Sequence, residues 1–223
     1  MPRLKREVIP GFPYHVTQRG VRRSTVFFTQ EDRTQYLERF LELSKLHGLE
    51  VIAYCLMDTH VHHMVVPSER TSLERVFRPL HSEYASRVNK LHGWSGHLWQ
   101  NRYFSCLLEG CHFETALRYI ELNPVRAGMV SSAENYQWSS AQSRVLVRKD
   151  PLITNDERWV KRIENVTSDW SSWLKKGLRD EDIELIRRKT QQGLPCGAEA
   201  FIKSLESKYN IRLSHRKAGR PSK

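Results

Sequence analysis

Two apolar runs, residues 49–57 and 60–66, flank the two-residue turn Asp58-Thr59, and they constrain the fold more than any other feature of the chain. Val51, Ile52, Tyr54, Val61, Val65 and Val66 favour extended backbone. Two such runs at this spacing predict an antiparallel hairpin. Side chains alternate faces along a strand, so His60 and His62 share one face while Val61 points the other way. His63 falls on the Val61 side and is expected to be structural. Imidazoles about 7 Å apart along a strand can converge on one divalent ion, and histidine is the commonest metal ligand. The other reading of the pair is partly buried histidines satisfied by hydrogen bonds.

The rest of the pattern gives the hairpin its neighbours. Residues 13–18 read as a short strand, followed by a basic turn with Arg19, Gly20, Arg22 and Arg23. Residues 31–47 carry Tyr36, Leu37, Phe40 and Leu41 at helical spacing, and Gly48 stops the helix. Thr71-Ser72-Leu73-Glu74 has the form of a capping box opening a helix that runs to about residue 91. The aromatic-rich stretch 98–108 predicts a fourth strand. A helix over 113–122 is closed by Asn123-Pro124, because the residue before proline disfavours helical geometry. The order β-α-β-β-α-β, then another helix, predicts a ferredoxin-like (RRM-like) α+β sandwich. In it an antiparallel sheet has helices on one face and leaves the other open to a ligand.

Net charge is +11 over 223 residues, divided as +5 for 1–148 and +6 for 149–223. Such a balance points to a polyanionic partner, nucleic acid first. Residues 1–148 are expected to form the catalytic domain. Residues 149–223 are expected to form a helical extension with a basic tail from Lys208 to Lys223, which holds Lys208, Arg212, Arg216, Lys217, Arg220 and Lys223 and no acid. No apolar run approaches a membrane span, and no signal peptide is visible. Cys55, Cys106, Cys111 and Cys196 include no C-x-x-C pair. A cytoplasmic protein is expected.

A nucleophile for nucleic-acid chemistry is suggested by Tyr119-Ile120-Glu121-Leu122-Asn123-Pro124-Val125-Arg126. Tyr119 and Asn123 are four apart and share a helix face. A phenol can attack phosphorus, and an amide oxygen can enter a metal shell. On these residues alone, a packed tyrosine and a helix-ending asparagine explain the spacing as well. The histidine triplet and this segment together resemble the single-tyrosine HUH transposases, and among them the REP-associated tyrosine transposases of bacteria. The resemblance spans nearly the whole chain. It includes His15-Val16-Thr17-Gln18-Arg19-Gly20, Leu98-Trp99-Gln100-Asn101-Arg102-Tyr103 and Trp138-Ser139-Ser140. It continues through Ile186-Arg187-Arg188, Gly193, Phe201 and Lys217-Ala218-Gly219-Arg220-Pro221. Two departures flank the histidines: His63 replaces an aliphatic residue, and Met57-Asp58-Thr59 replaces Met-Pro-Asn.

The resemblance implies that Tyr119 is the catalytic nucleophile and that His60, His62 and Asn123 hold one Mg²⁺ or Mn²⁺. Imidazole ligation suits Mn²⁺ the better. It implies nicking and rejoining of single-stranded or hairpin (REP-type) DNA through a 5′-phosphotyrosine. The expected DNA contacts are Gln18, Arg19, Arg22, Arg23, Trp99, Gln100, Arg102, Tyr103 and Arg126, with Arg216, Lys217 and Arg220 in the tail. Gly219-Arg220-Pro221 resembles an AT-hook core; a flexible basic tail is the simpler reading. A monomer is expected, with a dimer as the alternative. The rival to an enzyme is a hairpin-DNA-binding protein of the same fold that does not turn over.

Overall fold

The computed structural model describes residues 7–214. Strands β1 (Tyr14–Arg19), β2 (Leu49–Met57), β3 (His60–Pro67) and β4 (Phe104–Leu107) form one antiparallel sheet in the order β2-β3-β1-β4. The β2–β3 hairpin pairs Met57 with His60, as the two runs predict, and one irregularity near Ile52 shifts the register between Val51 and Ala53. The α+β class and ferredoxin-like strand order agree with the sequence pattern.

Helices α1 (Gln30–Leu46) and α2 (Ser72–His92) cover one face. Tyr36, Phe40, Val76, Phe77 and Leu80 pack there on Val16, Val51, Val61 and Val65. His63 lies in this layer, its ring 4.7 Å from that of Phe40 and 5.3 Å from that of Phe77. Burial first, then the neighbouring His81, pushes its pKa well below the usual imidazole range, so it is neutral. Helix α1 opens on a capping box formed by Thr29 and Asp32. The box expected at Thr71 and Glu74 does not form, because Thr71 is already in helical geometry. Instead the Ser72 hydroxyl accepts from the Glu69 amide at 3.1 Å.

The second face, expected to be open, carries a second core. Helix α3 (Gly110–Glu121) leads into the short α4 (Asn123–Arg126). Helices α5 (Ala141–Val145), α6 (Glu157–Glu164), α7 (Trp170–Lys175) and α8 (Asp180–Gln192) follow. Phe113, Leu117, Ile120, Trp173, Ile183 and Ile186 from these helices bury Ala53, Cys55, Met64 and Cys106 of the sheet. Helix α3 and apolar residues of the extension together supply the missing layer. Helix α9 (Glu199–Tyr209) returns to the first core through Leu205. No helix of the described residues is long and apolar enough to cross a membrane.

The fourth strand is shorter than expected. Residues 98–103 leave the sheet after one bridge between Gly20 and Trp99, because their aromatics turn inward. Trp99 donates its indole N–H to the His81 carbonyl at 2.9 Å, and Tyr103 packs 5.2 Å from Phe77.

Both sheet edges are occupied by the chain itself. On the β2 side, Leu56 N–H donates to Trp138 O (2.9 Å), and Ser140 and Thr154 donate to Tyr54 O and Val51 O. On the β4 side, Cys196 N–H donates to Leu107 O at 2.8 Å.

Gly20 joins β1 to the basic loop and donates its N–H to Thr59 O at 2.9 Å, beside His60. A Cβ there would sit 2.4 Å from the Ser24 carbonyl oxygen and 2.7 Å from Val26 Cγ1. Gly20→Ala is therefore expected to destabilise the protein by about 1–3 kcal/mol through overpacking. A lower urea midpoint at unchanged slope checks this.

Candidate active site

Strand β3 delivers His60 and His62 to the α3–α8 side of the sheet, their ring centroids 4.9 Å apart and their planes at 84°. The two rings are held in the same manner. His60 Nδ1 lies 3.0 Å from Thr59 Oγ1, and His62 Nδ1 lies 2.9 Å from His15 Nε2. That leaves Nε2 on each. The Nε2 of His62 is buried without a hydrogen-bond partner among the described residues. An orphaned buried nitrogen costs about 1–3 kcal/mol.

Burial, then the charges of Arg19, Arg187 and Arg23, pulls the His60 pKa down to about 4. Burial, followed by the other histidines, takes His62 well below its usual range. Burial takes His15 down to about 3. All three are neutral at pH 7, the state in which imidazole binds a metal, although both ring nitrogens of His15 are already engaged. Among the described residues no group of three or more His, Cys, Asp or Glu side chains makes a complete metal cluster. Two neutral imidazoles, one with a partnerless buried nitrogen, are by their chemistry suited to donate to a divalent ion.

Tyr119 comes from α3 and is almost fully buried. Its ring stands edge-on to His62 at 5.4 Å and to His15 at 5.8 Å. Its hydroxyl accepts from Arg187 Nε of α8 at 3.3 Å. The guanidinium carbons of Arg126 and Arg187 lie 5.6 and 5.9 Å from the ring. A guanidinium only donates, so the phenol's own proton must point away from Arg187. Asn123 turns its amide nitrogen back onto the carbonyls of Tyr119 (2.8 Å) and Ile120 (3.4 Å), which closes α3 and leaves the amide oxygen as its side-chain acceptor.

The expected DNA contacts divide into two sets. Arg22, Arg23, Gln100, Arg102 and Arg126 are exposed, and Arg19 is half-buried at the end of β1, paired with His60. Arg22 and Arg23 both adopt positive φ, 51° and 61°, in the loop pinned by Gly20. Gln18, Trp99 and Tyr103 are buried instead. The Gln18 amide donates to the Asn101 carbonyl, and the two aromatics pack in the core beneath α2, while all three line one cavity with Gln100 and Arg102. Arg216, Lys217 and Arg220 lie outside the described residues.

Three residues at the site carried no assigned role in the sequence reading: His15, Arg187 and Thr190. His15 shares the strand face of Thr17, which is paired with His62, so alternation places it here. Arg187 and Thr190 are three apart on α8 and share a face, but no local signal says where that helix docks.

The family model for IS200-like transposases matches residues 9–123, more than half of the chain. The structure is similar to that of a REP-associated tyrosine transposase bound to a REP hairpin. The TM-score is 0.54 at 20% identity, covering 70% of this chain and 93% of that one. A Deinococcus radiodurans protein assigned as a transposase aligns at a TM-score of 0.37 and 18% identity, over 58% of this chain and 92% of its own. No curated protein matches the sequence. With the family model spanning all four strands, α1, α2 and the helix that bears the buried tyrosine, the chain belongs to the IS200-like transposases, and its work is DNA transposition.

Proposed function

We propose that the protein nicks and rejoins single-stranded or hairpin DNA of the REP type through a phosphotyrosine formed on Tyr119. The observation that carries this reading is the meeting of Tyr119 with the His60–His62 pair, the phenol ring within 5.4 Å of His62. The Tyr119 oxygen attacks phosphorus in line, and the bond from phosphorus to the 3′ oxygen breaks. The phenol's proton is released, the departing oxygen gains one as a free 3′-OH, and the 5′ end stays on the enzyme. Attack by another 3′-OH reverses the step and frees the tyrosine, so no nucleotide cofactor is needed. His60 and His62 through Nε2, with the amide oxygen of Asn123, would hold one Mg²⁺ or Mn²⁺. Such an ion, when bound, offsets charge on the scissile phosphate. Arg187 aims the hydroxyl, and Arg126 and Arg19 add positive charge around it.

The reading includes a monomer, because the edges of β2 and β4 are already paired within the chain and offer no strand to a second copy. Single-stranded DNA with one hairpin, incubated with the protein and Mn²⁺, is expected to yield a covalent adduct whose peptide map places the phosphate on Tyr119. Cleavage without an adduct would favour hydrolysis by water instead.

Arg22 and Arg23 are assigned to backbone phosphates beside the site; among the described residues they form no ion pair. Replacing both with Ala is expected to lower hairpin affinity about tenfold near physiological salt. The slope of log K against log salt should fall by about 1.4–1.8, the release of counterions from two phosphates. Fluorescence anisotropy across a salt series measures both.

A further inference from the structure

We infer that His15 and Thr190 form an orienting relay behind His62, so that a residue of the C-terminal extension finishes the metal-holding centre. The inference rests on the proposal that His60 and His62 hold the ion. His15 is buried on β1, and both its ring nitrogens are used: Nε2 lies 2.9 Å from His62 Nδ1, and Nδ1 lies 2.8 Å from Thr190 Oγ1 on α8. Thr190 is itself 1% exposed and 175 residues away in sequence. A chain of this kind has two polarities. In one, Thr190 donates to His15, His15 donates to His62, and His62 presents an N–H at Nε2. That proton would be buried without an acceptor and would bar a cation. In the other, His62 donates from Nδ1 to His15, His15 donates from Nδ1 to the Thr190 oxygen, and His62 Nε2 presents a lone pair.

The second polarity gives the orphaned Nε2 of His62 a purpose. Residues that fix the tautomer of a metal-binding histidine in this way typically contribute about 10–100-fold in metal affinity. His60 has the shorter version of the same device, its Nδ1 held by Thr59. Thr190 acts at the end of the relay, and Arg187, one turn earlier on the same helix, holds the hydroxyl of Tyr119. Helix α8 therefore positions both halves of the site, ligand and nucleophile. His15 and Thr190 are positioning residues; neither touches the DNA.

Thr190→Val keeps the shape and removes the hydrogen bond; His15→Phe keeps a ring and removes both nitrogens. Mn²⁺ titration of the DNA-free protein, followed by the electron paramagnetic resonance of free Mn²⁺, is expected to show about a 10–100-fold weaker affinity for His15→Phe. The loss for Thr190→Val should be several-fold. The double variant should bind no more weakly than His15→Phe alone, because Thr190 acts through His15. In the metal-free wild type, two-bond ¹H–¹⁵N spectra should show His62 protonated at Nδ1, and Thr190→Val should mix the tautomers without lowering the melting temperature by more than a few degrees. Weakened binding in His60→Ala together with wild-type affinity in both Thr190→Val and His15→Phe would overturn the relay and leave the metal reading standing. Wild-type affinity in His60→Ala would overturn both. A wild-type His62 protonated at Nε2 would overturn the relay whatever the affinities, and Thr190→Val carries the test if His15→Phe does not fold.

Discussion

Tyr119→Phe is expected to abolish covalent adduct formation and to lower DNA cleavage by about 10⁴-fold or more, the scale on which removal of a covalent nucleophile acts. The substitution deletes one oxygen. Among the described residues that oxygen has one hydrogen bond, from Arg187 at 3.3 Å, while the ring keeps its edge-on contacts with His15 and His62. Stability should therefore change by no more than about 1 kcal/mol, and hairpin affinity by no more than a few-fold. That combination separates the phosphotyrosine mechanism from its two rivals. A water-dependent hydrolase would keep most of its cleavage in Tyr119→Phe, since no covalent bond to the enzyme is made. A non-catalytic hairpin binder would show no cleavage in the wild type to lose. A gel assay with 3′-labelled hairpin, in which the label stays on the fragment joined to the enzyme, reads all three outcomes when run beside a thermal melt.

Legibility of this chain followed the range of the interactions. The hairpin, the pairing of His60 with His62 and the exclusion of His63 all follow from a period of two, which is a local property of β-strands. Tyr119 and Asn123 could be placed on one helix by spacing, but their approach to the histidines could not, because α3 meets β3 through packing more than fifty residues away. The covering of the opposite sheet face is hidden from the sequence for a related reason. Trp159, Trp170, Trp173, Ile183 and Ile186 are scattered through short helices whose amphipathic stripes say that they cover something without saying what. The stretch 98–103 was read as strand because it is aromatic. Its aromatics in fact serve the core under α2, with Trp99 tied to His81. Arg187 and Thr190 lie furthest from legibility. Each is one ordinary residue on a polar helix, and only the docking of α8 gives it a role.

The packing of α3 has a test of its own, centred on one buried carboxylate. Glu121, two residues beyond Tyr119, is fully buried. It accepts from the Ser140 hydroxyl at 2.7 Å and from the Trp170 indole at 2.6 Å, and it pairs with the Arg144 guanidinium, which also donates to the Ile52 carbonyl. Glu121→Ala strands a nearly buried cation and two donors at once. Breaking one side of such a pair typically costs about 3–5 kcal/mol, and for a chain of this length that lowers the melting temperature by roughly 6–20 °C. Glu121→Gln keeps an acceptor for the indole or the hydroxyl and should lose less. Combining Glu121→Ala with Arg144→Met removes the stranded charge, so the double variant should be more stable than Glu121→Ala alone, a coupling that independent sites would not show. Because Glu121 sits at the end of the helix that carries Tyr119, cleavage measured well below the melting temperature should fall as well. A Glu121→Ala protein that melts like the wild type would mean that the buried carboxylate contributes nothing to holding α3 in place.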